Sequence, residues 1–289
     1  LRERKSKFVE IFRTTPPRTV CSNFYVLSHA NGCTFNPRCA YCYLKSSFGH
    51  LKESQVFTNT DRLLTEVRDW IARDNLESYL LNAGNLSDSL VFETVRPLMG
   101  QLVETFRTYA AGRRHTLLLV TKGGLRECEC LFERERCPNV IVTFSVNSPK
   151  AATAFERGAA DVQDRFQAAR RLKQKGWRVR IRIDPMILDF DYAGTIAKVR
   201  ALRPERVTLG TLRAEPNLER HVGKGLFAHL EPVHGGKGLA RYPREKRIEM
   251  YRPAVEALRE VCPTGLCEET PDVWAALGLD ECKSCNCSG

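Results

Sequence analysis

Apolar and polar positions along the chain fall into two alternating periods. Thr19 to Leu27 alternates loosely among β-formers, as a strand does. From Thr60, a capping residue, to about Asp74, the residues Leu63, Leu64, Val67, Trp70 and Ile71 recur on one helical face. Ser78 to Ala83 is a short strand, and Phe92 to Tyr109 carries a second helical stripe through Val95, Leu98, Met99, Leu102 and Phe106. His115–Thr121 and Val140–Val146 are almost continuously apolar, as in strands covered on both faces. Val162 to Lys175 is a helix closed by Gly176; Trp177–Ile183, Tyr192–Leu202 and Arg206–Leu212 then read as strand, helix and strand.

Strand–helix alternation of this kind, with six strands, predicts an α/β fold built on a parallel sheet with right-handed crossovers. Periodicity leaves a partial barrel and an open doubly wound sheet equally available. Either would place ligands at the C-terminal ends of the strands. The loop after the first strand, Asn82–Asp88, Lys122 and Ser145–Asn147 all fall at or just after such ends. Around this unit, expected over 19–213, lie a basic lead-in (1–18) and a segment over 214–261 that is irregular to 243 and then helical from Arg244 to Val261. A cysteine-rich stretch over 262–289 follows, with a helix-like piece at Pro271–Leu279.

Apolar content of 43% and charged content of 27% belong to a globular chain of 289 residues, not a disordered one. No apolar run nears the roughly 18 residues of a membrane span. The basic start Leu1–Lys7 has no apolar stretch behind it and is no secretory signal. Twelve cysteines without such a signal imply metal or cluster ligation in a reducing cytoplasm, not disulfides. The formal charge of +11 attracts polyanions, though a generally basic proteome would give the same value.

The chemistry concentrates in Asn31–Lys45, where Cys33, Cys39 and Cys42 are spaced C-x5-C-x2-C. Gly32 and Pro37 make this a loop, able to wrap a cluster as a helix cannot. A [4Fe–4S] cluster is held by cysteine thiolates, four when closed, so three leave one iron open for chemistry. A zinc site or isolated buried thiols are the alternatives. Zinc normally takes a second ligand pair, and no His lies nearby in a matching pattern.

A three-cysteine loop near the N-terminus with an aromatic before its last Cys resembles the radical S-adenosylmethionine (SAM) enzymes. Cys39-Ala-Tyr-Cys-Tyr-Leu44 resembles spore photoproduct lyase and its relatives in particular. Val56–Asn59, Leu81–Asp88, Val120–Lys122, Phe144–Asn147, Glu156-Arg-Gly158 with Arg165, and Arg241–Pro243 keep that family's order over most of residues 19–245. The resemblance implies a partial (βα)6 radical SAM barrel, to which this chain's own residues add a cysteine-rich C-terminal extension. It further implies a [4Fe–4S] cluster on Cys33, Cys39 and Cys42 that cleaves SAM reductively to a 5′-deoxyadenosyl radical. An electron donor such as flavodoxin or ferredoxin would serve it. It carries SAM contacts onto Lys122 and Ser145 and a catalytic part onto Tyr41 and Tyr43; Asn82, by its place at a strand end, and Arg180, by its place on an arginine-bearing strand, are further cofactor-binding candidates. Two departures stand out. The first two cysteines are two residues further apart than in the usual C-x3-C-x2-C. The segment Ala83-Gly-Asn-Leu86 also lacks the hydrogen-donating cysteine that spore photoproduct lyases carry there.

In Trp177–Asp184, period two puts Arg178, Arg180 and Arg182 on one face and Val179, Ile181 and Ile183 on the other. In a barrel the arginines would point inward and need carboxylate or phosphate partners; on an edge strand they would face water. Asp184 is a turn residue or a SAM ribose contact. At the chain end, Cys262, Cys267, Cys282, Cys285 and Cys287 offer ligands for a second [4Fe–4S] cluster or a structural zinc. The expected activity is a spore photoproduct lyase-like radical SAM reaction on nucleic acid. Modification of a peptide or small metabolite is the enzymatic rival, and a zinc-stabilised, non-catalytic nucleic-acid-binding module is the rival of another class.

Overall fold

The computed structural model describes residues 1–13, 15–222, 225–232, 238–280 and 287. Eight strands form one sheet in the order in which the chain makes them: β1 (Val9–Phe12), β2 (Phe24–Leu27), β3 (Leu80–Asn82), β4 (Thr116–Thr121), β5 (Val140–Val146), β6 (Arg178–Met186), β7 (Arg206–Thr211) and β8 (Thr264–Leu266). β1 runs antiparallel to β2; every later neighbour is parallel. The helices α1 (Thr60–Ile71), α2 (Met99–Tyr109), α3 (Val162–Gln174), α4 (Ala193–Leu202) and α5 (Arg244–Leu258) lie between successive strands. Among the described residues no helix is long and apolar enough to cross a membrane.

Strand alternation divides the sheet into two unlike faces. Leu81, Leu117, Leu119, Val142, Phe144, Val179, Ile181, Val207 and Leu209 join one core with the apolar stripes of all five helices. Trp70 of α1 and Phe106 of α2 are fully buried there, their rings 6.4 Å apart. The opposite face carries a smaller apolar cluster of Phe24, Val26, Leu80, Leu118 and Ile141 under β2–β5. Under β6 and β7 that face is ionic. Arg180 NH2 bonds Glu205 Oε1 at 3.0 Å, and Arg178 grips the same carboxylate through two nitrogens at 3.0 and 2.6 Å. Burial would raise Glu205, but Arg178 and Arg180 bring it below its ordinary range. The arginine strand is therefore central, lying between β5 and β7, and not an edge.

Three sequence expectations are corrected. The lead-in over 1–18 contributes a strand: Phe8 is fully buried in the helix-side core, its N–H reaches Glu66 Oε2 at 2.6 Å, and Phe12 stacks on Phe24 at 5.0 Å. The helix expected from Phe92 begins at Met99, because Pro97 disfavours helical backbone before it. Glu93 then folds back to cap it, accepting from the N–H groups of Leu98 and Met99 at 3.0 Å each. β8, three residues long, extends the six expected strands at the far edge.

If the N-terminal segment is part of the core, Phe8→Ala should cost about 3–5 kcal/mol, as for other buried Phe truncations. Urea unfolding measures this; a loss below about 1 kcal/mol would return residues 1–13 to the status of an appendage.

Candidate active site

The thiol loop leaves the C-terminal end of β2 and is pinned at several points. Gly32 takes a positive φ of 90°, open to glycine, and its N–H bonds Leu86 O at 2.9 Å. Ser54 Oγ donates to Cys33 O at 3.0 Å, and Ala40 N–H to Phe155 O at 2.7 Å. Tyr43 Oη donates to Asn85 O. Gly158 meets the loop backbone so closely that a Cβ would stand 2.4 Å from Pro37 O and 2.5 Å from Asn36 N. Only a glycine permits this approach.

Cys33, Cys39 and Cys42 lie within one another's electrostatic field. Burial is the main force raising all three thiols, to about 12 for Cys39 despite the nearby Lys122 and Arg165. In the metal-free chain they keep their protons, which a bound metal must displace. Three thiols with no histidine among them are a donor set suited to iron–sulfur ligation, and the residues present fit a cluster with one open iron.

One buried carboxylate ties the loop to the sheet. The Glu156 side chain is fully enclosed. Its Oε1 accepts from Tyr41 Oη, from Asn147 Nδ2 at 3.0 Å and from Lys122 Nζ at 3.3 Å; its Oε2 accepts from Arg165 NH1 at 2.5 Å. These donors come from the thiol loop, the end of β5, the end of β4 and α3. Burial alone would raise Glu156, but Lys122 and Arg165 hold it at about 2. Arg165 also donates to Ser145 O at 3.0 Å, and Lys122 Nζ stands 5.6 Å from the centroid of the Tyr41 ring. Behind Lys122, its own N–H bonds Asp88 Oδ2 at 2.6 Å.

Cys33, Cys39, Cys42, Tyr41 and Lys122 are thus brought together, with Ser145 beside them on β5. Tyr43 lies on the flank near Asn85. Asn82 is buried at the end of β3, where its Oδ1 accepts from Gly84 N–H at 2.8 Å. Arg180 is corrected. It pairs in register with Arg206, the first residue of β7, and is held by Glu205 at the opposite end of the sheet from the thiol loop. Asp184 is an ion-pair hub instead of a free turn residue: Arg213 and Arg182 outweigh its burial and hold it well below the carboxylate range.

The C-terminal ligand set lies partly outside the described residues, and those described are spread over different surroundings. Cys262 and Cys267 sit at opposite ends of β8. The three-residue strand Thr264–Leu266 stands between them. Cys262 is packed in the helix-side core, and Cys267 touches Arg182 and Arg213. Cys287 rests on the small apolar cluster of the opposite face, and Cys282 and Cys285 lie outside the described residues. Among the described residues, Cys33, Cys39 and Cys42 included, no three His, Cys, Asp or Glu side chains are placed to hold one metal ion; the thiolates of a cluster each bind a different iron and need no such convergence. Sequence reasoning missed the Glu156 centre. Glu156 and Arg165 stood out only as a spaced pattern, with nothing to show that both are buried.

A family model described as Spore photoproduct lyase matches residues 9–204. Spore photoproduct lyase of Clostridium acetobutylicum is 22% identical over 177 residues, 61% of this chain and 49% of that protein. The Geobacillus sp. (strain Y412MC61) protein of the same name is 25% identical over 162 residues, 56% and 46% respectively. The chain spans about half the length of the curated relatives it matches. Spore photoproduct lyase complexed with dinucleoside spore photoproduct superposes with a TM-score of 0.70 at 18% identity, covering 88% of this chain and 78% of that one. A variant with bound AdoMet and the same dinucleoside gives 0.71 at 18% identity, covering 92% and 80%. Streptococcus suis SuiB bound to S-adenosylmethionine gives 0.54 at 11%, covering 87% and 51%. At these identities the structural likeness concerns the fold.

Glu156→Gln leaves Lys122 and Arg165 without their buried counter-charge, and should cost the metal-free protein about 3–5 kcal/mol at pH 7. A carboxylate depressed to about 2 from 4.5 lends stability that is whole above pH 4.5 and lost as pH falls through 2. The gap between parent and variant, followed by urea unfolding, should therefore close across that window. A gap independent of pH would contradict the ion-pair account.

Proposed function

The chain belongs to the spore photoproduct lyase family, and on that premise we propose that it is a radical SAM enzyme acting on nucleic acid. The observation that carries this reading is the meeting of the three-thiol loop, through Cys39 and Tyr41, with Lys122 and Glu156 at the C-terminal ends of β4 and β5. The consecutive strand order, with all five long helices on one face, supports a partial barrel whose ionic and smaller apolar face is the interior. Cys33, Cys39 and Cys42 would hold a [4Fe–4S] cluster. When bound, that cluster supplies the single electron that breaks a carbon–sulfur bond of SAM.

The chain's own residues bind and orient. The Lys122 ammonium has three N–H groups; Glu156 engages one, and another suits the SAM carboxylate. Ser145 presents a hydroxyl on the interior face one strand away, and Asn82 backs the turn that leads to Asp88. Tyr41 is fixed by Glu156, and Tyr43, 41% exposed, is held at the flank of the loop by Asn85 O. The +11 charge favours a polyanionic substrate, as does the dinucleoside photoproduct held by related lyases. Flavodoxin or ferredoxin would serve as the reductant.

Anaerobic reduction with SAM should release 5′-deoxyadenosine, and the triple variant Cys33→Ala/Cys39→Ala/Cys42→Ala should release none. Equal release by parent and triple variant would end this reading. Lys122→Met should weaken SAM binding about tenfold, near 1.4 kcal/mol, at unchanged iron content. Unchanged binding in equilibrium dialysis would remove Lys122 from the cofactor site.

A further inference from the structure

A groove of about 690 Å³ lies between α4 and α5, on the outer surface of the helix layer. Both helices connect parallel strands, so they run side by side in one direction, against the strands. The groove sits at their C-terminal ends, just before β7 and β8 begin, and so at the end of the sheet away from the thiol loop. Its floor is made of small side chains: Ala197 and Ala201, one turn apart on α4, and Ala257 and Val261 at the end of α5. Its two walls carry opposite charge. Arg200 and Arg203 stand on the α4 side, and Glu256 and Glu260 on the α5 side, all four exposed. Among the described residues, none of these four side chains has a hydrogen-bond or ion-pair partner. Other exposed charges of α5 do pair within the chain, as Lys246 does with Glu249 at 2.7 Å. Arg203 is also held at a φ of 49°, in the left-handed region, at a helix end where glycine is usual. A long cationic side chain is thus kept where the backbone favours a residue without one.

We infer that this groove is the contact between two copies of the chain. The argument is charge complementarity. A wholly acidic partner is repelled by the Glu256 and Glu260 wall, a wholly basic one by the Arg200 and Arg203 wall, and an apolar one would bury all four charges unpaired. The surface that answers both walls at once is the same surface turned over. A two-fold axis along the groove lays the arginine wall of each copy on the glutamate wall of the other, so every charge meets its opposite in an isologous contact. An axis across the groove would set arginine on arginine, which fixes the orientation of the pair. The alanine floor presents no large side chain to hold the two copies apart. Exposed ion pairs are individually weak and screened by salt, so the association depends on concentration and ionic strength and is not obligate. Because the axis runs along the helices, and so roughly along the strands, both copies present their thiol loops at the same end of the pair. The contact lies at the other end, and pairing leaves the candidate site open.

Sedimentation velocity on the full chain tests this. At about 100 µM protein and low salt the parent should sediment as a dimer, and about 0.5 M sodium chloride should weaken the association at least about fivefold. Arg200→Glu/Arg203→Glu gives a groove with two acidic walls, and Glu256→Arg/Glu260→Arg one with two basic walls. Each variant alone should remain a monomer. Mixed in equal amounts, the two should form a heterodimer, because all walls are then matched again. The mixture also excludes misfolding as the reason for monomers, since only two folded partners restore the contact. A monomeric parent overturns the inference. So does a variant that pairs with itself as the parent does, or an equal mixture that stays monomeric. None of these outcomes depends on the cluster chemistry proposed above.

Discussion

Everything at the rim of the sheet depends on the burial of the Glu156 charge. An enclosed carboxylate is tolerated only when its oxygens are fully engaged by donors, at least one of them cationic. Here two cations, a phenol and an amide supply that engagement. Because the four donors come from four places, satisfying one charge fixes the thiol loop against β4, β5 and α3 together. Gly158, two residues on, completes the arrangement by letting the backbones touch. Glu156 thus preorganises the loop without contacting any thiol.

The two faces of the sheet divide the labour. The helix side is uniformly apolar and contributes stability through burial. The other face mixes an apolar half under β2–β5 with an ionic half under β6 and β7. Its arginines are costly to bury, and each is matched: Arg178 and Arg180 by Glu205, Arg182 and Arg213 by Asp184. The matching separates two ionic centres along β6, one at each end. Only the one built on Asp184 looks toward the thiol loop.

Much of this was legible in the chain because it rests on local periodicity. The continuous apolar runs of β4 and β5 gave their central position, and the strict alternation of Arg178–Ile183 gave the face on which the guanidinium groups lie. The thiol loop was visible from spacing and turn residues alone. What escaped has a common cause. Glu156 gathers partners 115, 34 and 9 residues away, and no pattern in sequence reports a charge enclosed by such distant donors. β1 and β8, four and three residues long, are too short to show a period. The strand between Cys262 and Cys267, Thr264–Leu266, was for that reason not among the six expected. Pro97 was the one local signal misjudged, since it stands inside an otherwise convincing helical stripe.

The consecutive order of the strands has a consequence for how the protein is made. Each strand of the sheet pairs with the one synthesised just before it, so no strand must wait for a partner that has yet to leave the ribosome. The sheet can grow from β1 outward as the chain emerges, each new helix covering the apolar face just created. β8 is the exception in timing, not in order. It docks on β7 only after the whole of α5 has been threaded, and it brings Cys267 with it. The ionic centre around Asp184 is therefore completed late, and until then Arg182 and Arg213 have their carboxylate but not their sulfur.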